Sequence, residues 1–111
     1  FNSLVAIDSH GAHTATYDKN HLVPFGEYVP FRKFLPLPKI TQGTVDFSQG
    51  DGNHLTEAKG VPPFLTLICY ETIFPSYSAS KGTNAEWILN VTNDAWFGNS
   101  SGPYQHFHMS Q

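Results

Sequence analysis

In the stretch F64-L-T-L-I-C-Y-E-T-I-F74 an unbroken apolar run of strand length ends on Cys69, the sole cysteine, and gives way at once to Tyr70 and Glu71. A continuous run of this kind, with Pro62-Pro63 before it and a charge after it, predicts a strand over 64–69 buried on both faces. Ile73, Phe74, Tyr77 and Ala79 then recur at helical spacing and Gly82 supplies a stop, so a helix is predicted over 73–81. Residues 85–91, AEWILNV, read as a second buried strand, followed by the loop TNDAWFGNSSG and a helix opening near Pro103. The order strand, helix, strand, helix implies an α/β fold with helices packed on a sheet.

Upstream, apolar residues 1–7, the turn residues Asp8-Ser9-His10-Gly11 and the mixed run 12–19 predict a β-hairpin. Residues 22–30, LVPFGEYVP, hold two prolines and a glycine, which forbid a regular helix and predict an ordered loop. Residues 31–40, FRKFLPLPKI, read as a short helix or an extended arm. Residues 43–60 read as two short strands around the turn residues QGDGN, or as one strand with an excursion.

At 111 residues with 40% hydrophobic and 14% charged positions, the chain has the size and composition of one folded unit, and no repeat or low-complexity tract divides it. A net charge of -3, with only six Lys plus Arg set singly, offers no basic stripe for nucleic acid. One cysteine excludes an internal disulfide and a multi-thiolate zinc site. No run approaches the roughly 18 apolar residues of a membrane-spanning helix.

Cys69 at the end of a buried strand has two readings. Cysteine is commonly a small core residue. The carboxyl ends of strands in α/β folds are also where ligands bind, and a nucleophile on a tight strand-to-helix turn is presented beside a backbone N–H that can meet an oxyanion. Two groups could assist such a thiol. Lys19 ends a predicted strand, and Glu27 sits in a loop that Pro24, Gly26 and Pro30 would hold rigid, as fixing a carboxylate in a site requires. Taken alone, a lysine in such a place is usually a solvated surface group. His106 and His108 are two apart in a predicted helix and face different sides, which argues against a metal pair. His10 and His13 flank the hairpin turn, and His21 and His54 fall in or beside loops. Trp96 and Phe97 fit a core or a pocket wall equally well.

Residues 17–30 (YDKNHLVPFGEYVP), 68–71 (ICYE), 93–98 (NDAWFG) and 102–106 (GPYQH), in this order and at these separations, resemble the nitrilase-like domain of the apolipoprotein N-acyltransferases over nearly the whole chain. The resemblance implies an α-β-β-α sandwich of the nitrilase superfamily, of which residues 1–111 are a part. It implies a Glu-Lys-Cys triad, with Cys69 as nucleophile and Lys19 as stabiliser of the tetrahedral intermediate. Glu27 then matches a further glutamate of the site, Tyr70 and Glu71 a supporting pair, and Trp96 a tryptophan near the substrate. The family's general-base glutamate precedes the lysine, and no glutamate precedes Lys19 here. The chain therefore reads as an internal fragment, inactive by itself.

By the same resemblance the substrates are a phospholipid acyl donor and an apolipoprotein acceptor, with no cofactor and no metal. The whole protein is expected to be a monomer in the bacterial inner membrane, anchored by helices outside this sequence, with the domain in the periplasm. Phe34 and Leu35 in the 31–40 arm are candidates for touching lipid, although the arm could equally fold onto the domain. A soluble carbon-nitrogen hydrolase and a non-catalytic interaction module are the competing readings.

Overall fold

A hairpin opens the chain. Strand β1 (Ser3–Ile7) pairs antiparallel with β2 (His13–Asp18), with an irregularity between Ala6 and Ile7. The turn forms because the Asp8 carboxylate accepts the His10 and Ala12 N–H groups, both at 2.9 Å, while Gly11 takes a φ of 81°. The computed structural model describes residues 1–31, 34, 45–78 and 84–111.

A second, three-stranded sheet carries the core. Its middle strand, β4 (Phe64–Ile68), pairs antiparallel with β3 (Leu55–Thr56) and parallel with β5 (Trp87–Val91). Every residue of β4 is buried, as the unbroken apolar run requires. The one polar member, Thr66, is fully buried and satisfied by the Thr56 hydroxyl at 2.7 Å. β5 departs from expectation: Ile88 and Val91 are exposed and Trp87 is only partly covered, by stacking on Phe64. Among the described residues it is an edge strand of the sheet. Residues 45–54 hold no strand, so the 43–60 segment contributes only β3 among the described residues.

The helix expected over 73–81 is interrupted at Phe74 and present over Pro75–Ser78. Cys69–Ile73 wind into a 3-10 turn, Phe74 is extended, and helix α1 runs over Pro75–Ser78, the last described residues of this segment. Proline disfavours a helical residue before it and is well suited to a helix's first position, which forces the interruption at Phe74. Residues 79–83 lie outside the described set. A second 3-10 turn, Asp94–Phe97, precedes α2 (Gly102–Met109), which opens one residue before Pro103.

The proline-rich loop is ordered by its own backbone. The Val23 carbonyl accepts the Gly26 and Glu27 N–H groups at 3.2 and 2.8 Å, and Phe25 N–H meets the Tyr28 carbonyl at 2.7 Å. The 45–54 segment joins the loop to the hairpin: Phe47 N–H donates to the Glu27 carbonyl and Gly50 N–H to the Lys19 carbonyl, both at 2.9 Å, and a Cβ at Gly50 would run into the backbone of Asp18. Gly50→Ala is therefore expected to cost about 1–3 kcal/mol by overpacking, measurable as a lower midpoint in chemical denaturation of the full-length protein.

Candidate active site

Cys69 is the first residue after β4, half-buried, with a φ of 54°. That left-handed backbone is strained for a side chain with a Cβ, by about 1–3 kcal/mol, and such strain concentrates at functional turns. The sharp turn from buried strand to 3-10 helix is the geometry that lifts a nucleophile out of a sheet edge.

Glu71 supports this turn. It is completely buried, yet its carboxylate is fully engaged. Oε2 accepts the Ile68 N–H at 2.8 Å, on the strand side of Cys69. Oε1 accepts the N–H groups of Asn20 and His21 at 2.9 and 2.8 Å, on the loop that follows Lys19. The Tyr17 hydroxyl donates to the same carboxylate at 2.9 Å. One buried anion thus joins the end of β2 to the cysteine turn. Rings reinforce the join: His21 lies 4.3 Å from Phe74 and 5.9 Å from Tyr70, centroid to centroid.

Lys19 is buried as well, at 1% exposure. Its ammonium donates to Glu27 Oε2 at 2.8 Å. Glu27 also accepts the Val23 N–H at 2.8 Å and the Asn2 amide at 2.7 Å. Burial pushes the Glu27 carboxyl upward, but the Lys19 ammonium, with the Val23 and Asn2 donors, outweighs it and holds the group below its ordinary value. Such a carboxylate is a poor proton acceptor and a good anchor for a cation.

On the other side of the turn, the ring of His106 in α2 is buried at 7% exposure. Its Nε2 faces the Cys69 carbonyl oxygen at 3.3 Å and its Nδ1 faces Asp94 Oδ1 at 2.9 Å. Both partners are acceptors, and a ring proton on Nε2 points at the Cys69 carbonyl. Among the described residues no three metal-ligating side chains cluster.

The model of the carbon-nitrogen hydrolase family matches residues 1–111. The chain belongs to the carbon-nitrogen hydrolase family. Within it, the chain is 44% identical over 111 residues to a protein of Rickettsia typhi named apolipoprotein N-acyltransferase, and 48% identical over 111 residues to one of Rickettsia bellii with the same name. It is 46% identical over 114 residues to the Brucella suis protein so named. Each match takes in 100% of this chain but only 21–22% of the relative, so the chain spans about a fifth of their length.

The sequence-derived candidates of this carbon-nitrogen hydrolase chain fall into three groups. Lys19 and Glu27 are in direct contact, and Glu71 ties their neighbourhood to Cys69 and Tyr70. Phe34 is 83% exposed and shares a turn with the exposed Phe31, where the Phe34 N–H donates to the Phe31 carbonyl at 2.7 Å. Leu35 and most of the 31–40 arm lie outside the described residues, as does the Trp96 side chain, although its backbone is in the 3-10 turn after β5.

The sequence does not single out Asn2, and Tyr17, Asp94 and His106 stand in its motifs without a role, His106 being weighed only as half of a metal pair. Tyr17 and Lys19 do share a signal: two apart on the hairpin, they fall on one face, and both are almost completely buried. Nothing in the sequence marks the Asp94–His106 pair, because it closes between a turn and a helix.

Glu71→Gln should turn an amide N–H₂ toward backbone donors and lower stability by about 1–3 kcal/mol or more, read as a fall in the unfolding midpoint of the full-length protein. The Glu27 contribution to stability is complete above its unfolded value, near the ordinary 4.5, and is lost as pH falls through the lowered folded value. Glu27→Gln should therefore flatten the acid limb of a melting-temperature profile below about pH 5.

Proposed function

We propose that this chain is the nucleophile-bearing part of an N-acyltransferase that moves an acyl chain from a phospholipid to the N-terminal diacylglyceryl-cysteine of an apolipoprotein. The observation that carries this is the strained Cys69 turn, bound through one buried carboxylate to a segment bearing a buried lysine. A core cysteine needs no such support. The names of the relatives supply the substrate class.

In the first step the Cys69 sulfur attacks the ester carbonyl and the thiol proton passes to a general base. The C–O bond breaks, the lysophospholipid leaves with the proton, and a thioester remains on Cys69. In the second step the acceptor's α-amine attacks the thioester, an amide forms, and the thiol is regenerated. Lys19 and the Tyr70 backbone N–H stabilise the oxyanion in both steps. Glu27 holds the ammonium in place, and Glu71 holds the turn. The base would be a glutamate preceding Lys19 in the family's pattern, supplied by the whole protein.

Exposed Phe31 and Phe34 support the reading that this arm meets the lipid interface where the donor resides. No helix among the described residues is long and apolar enough to cross a membrane. The whole protein's place in the bacterial inner membrane, facing the periplasm, is part of the proposal.

Intact-mass analysis of the full-length protein incubated with glycerophospholipid should give an acyl adduct that Cys69→Ser abolishes. An adduct that survives Cys69→Ser would exclude the assignment, and transfer to water without transfer to a lipopeptide amine would favour a hydrolase. Lys19→Met should slow adduct formation by about 10²–10³-fold, read at a temperature where the variant's circular dichroism is that of the wild type. A normal adduct rate in that variant would refute the oxyanion role.

A further inference from the structure

Building on the acyl-transfer reading, we propose that His106, backed by Asp94, is a positioning residue that aims the Tyr70 backbone N–H at the oxyanion. The Cys69 carbonyl and the Tyr70 N–H are opposite ends of one planar trans peptide unit. Fixing the oxygen therefore fixes the direction of the N–H, which points the other way. His106 Nε2 sits 3.3 Å from that oxygen, and Asp94, 2.9 Å from Nδ1, sets the ring's orientation.

This peptide needs an external restraint. Cys69 has a φ of 54°, and a strained turn relaxes by rotating the adjoining peptide planes unless something holds them. Glu71 holds the strand side of the cysteine through the Ile68 N–H. On the helix side, the Cys69 carbonyl accepts the Thr72 hydroxyl at 3.3 Å from within the turn, and among the described residues the side chain that reaches it from outside the turn is His106. Tyr70 is the second residue of the 3-10 turn, so its N–H lies before the first carbonyl that its own helix could offer. A donor on the carbonyl also polarises the amide and makes its N–H a stronger donor. The ring is held in a buried position of α2, where an apolar side chain would pack without needing partners.

The test separates aim from scaffold by reading two rates at Cys69 in the full-length protein. Thioester formation with glycerophospholipid in detergent micelles passes through an oxyanion. Alkylation by iodoacetamide, a displacement at a saturated carbon, does not. His106→Phe should slow thioester formation about 10- to 100-fold, less than outright loss of an oxyanion donor, and leave alkylation within about threefold. His106→Gln, whose amide N–H can reach the same carbonyl, should recover part of the loss. Unchanged thioester formation in His106→Phe would overturn the proposal. So would an equal fall in both rates without recovery by Gln, which would make the histidine a support of the fold alone. Should His106→Phe melt below the assay temperature, Asp94→Ala decides by the same two rates: a selective loss supports the aiming role, and no loss or an equal loss overturns it. Wild-type protein that forms no thioester would instead refute the acyl-transfer reading, before any variant is made.

Discussion

The Glu71 carboxylate is the constraint on which the other parts of the site depend. A buried anion is tolerated only when its oxygens are saturated with donors, because the cost of stripping it of water is otherwise too large. Here the donors come from three places: the last residue of β4, the loop after Lys19 and the Tyr17 ring. Meeting that requirement forces the end of the hairpin against the cysteine turn. Ile68, at the head of the 3-10 turn, has no side-chain oxygen with which to cap it, and Glu71 reaches back to its N–H instead.

The Lys19–Glu27 pair works differently. A buried ion pair adds little to stability relative to apolar packing, whereas losing one partner of it is costly. Its value lies in geometry: the glutamate is fixed by its own loop, the ammonium is fixed by the glutamate, and neither can swing into solvent. The prolines and Gly26 make this possible by closing residues 23–28 on themselves. Cation and thiol turn are thus held by separate carboxylates, Glu27 through Lys19, Asn2 and the Val23 N–H, and the buried Glu71 through three backbone N–H groups and Tyr17, with Asp94 and His106 bracing the far side of the turn. A site assembled this way spends little entropy on ordering when substrate arrives.

Much was legible in the sequence. The hairpin, the buried strand at 64–68, the strand at 87–91 and the last helix follow from apolar periodicity and from turn residues, which are local signals. Cys69, Lys19 and Glu27 stood out by position, and the four motifs together pointed to the family to which the chain belongs. Two expectations gave way for identifiable reasons. Pro75 splits the expected helix because its ring dictates the backbone of Phe74. The apolar run of β5 does not end in burial on both faces here, because the run records what a strand can bury and not which layers are packed on its faces.

By itself, then, the sequence determined the elements, the family and the residue types able to do the chemistry, since these rest on spacing along the chain. Tertiary structure alone decided that Lys19 is buried in an ion pair, that Glu71 ties two distant segments together, and that His106 lies against the Cys69 carbonyl. Each of these joins residues far apart in sequence through a buried polar contact. Such contacts form because folding removes water from both partners at once, and no local pattern records which partner will be there.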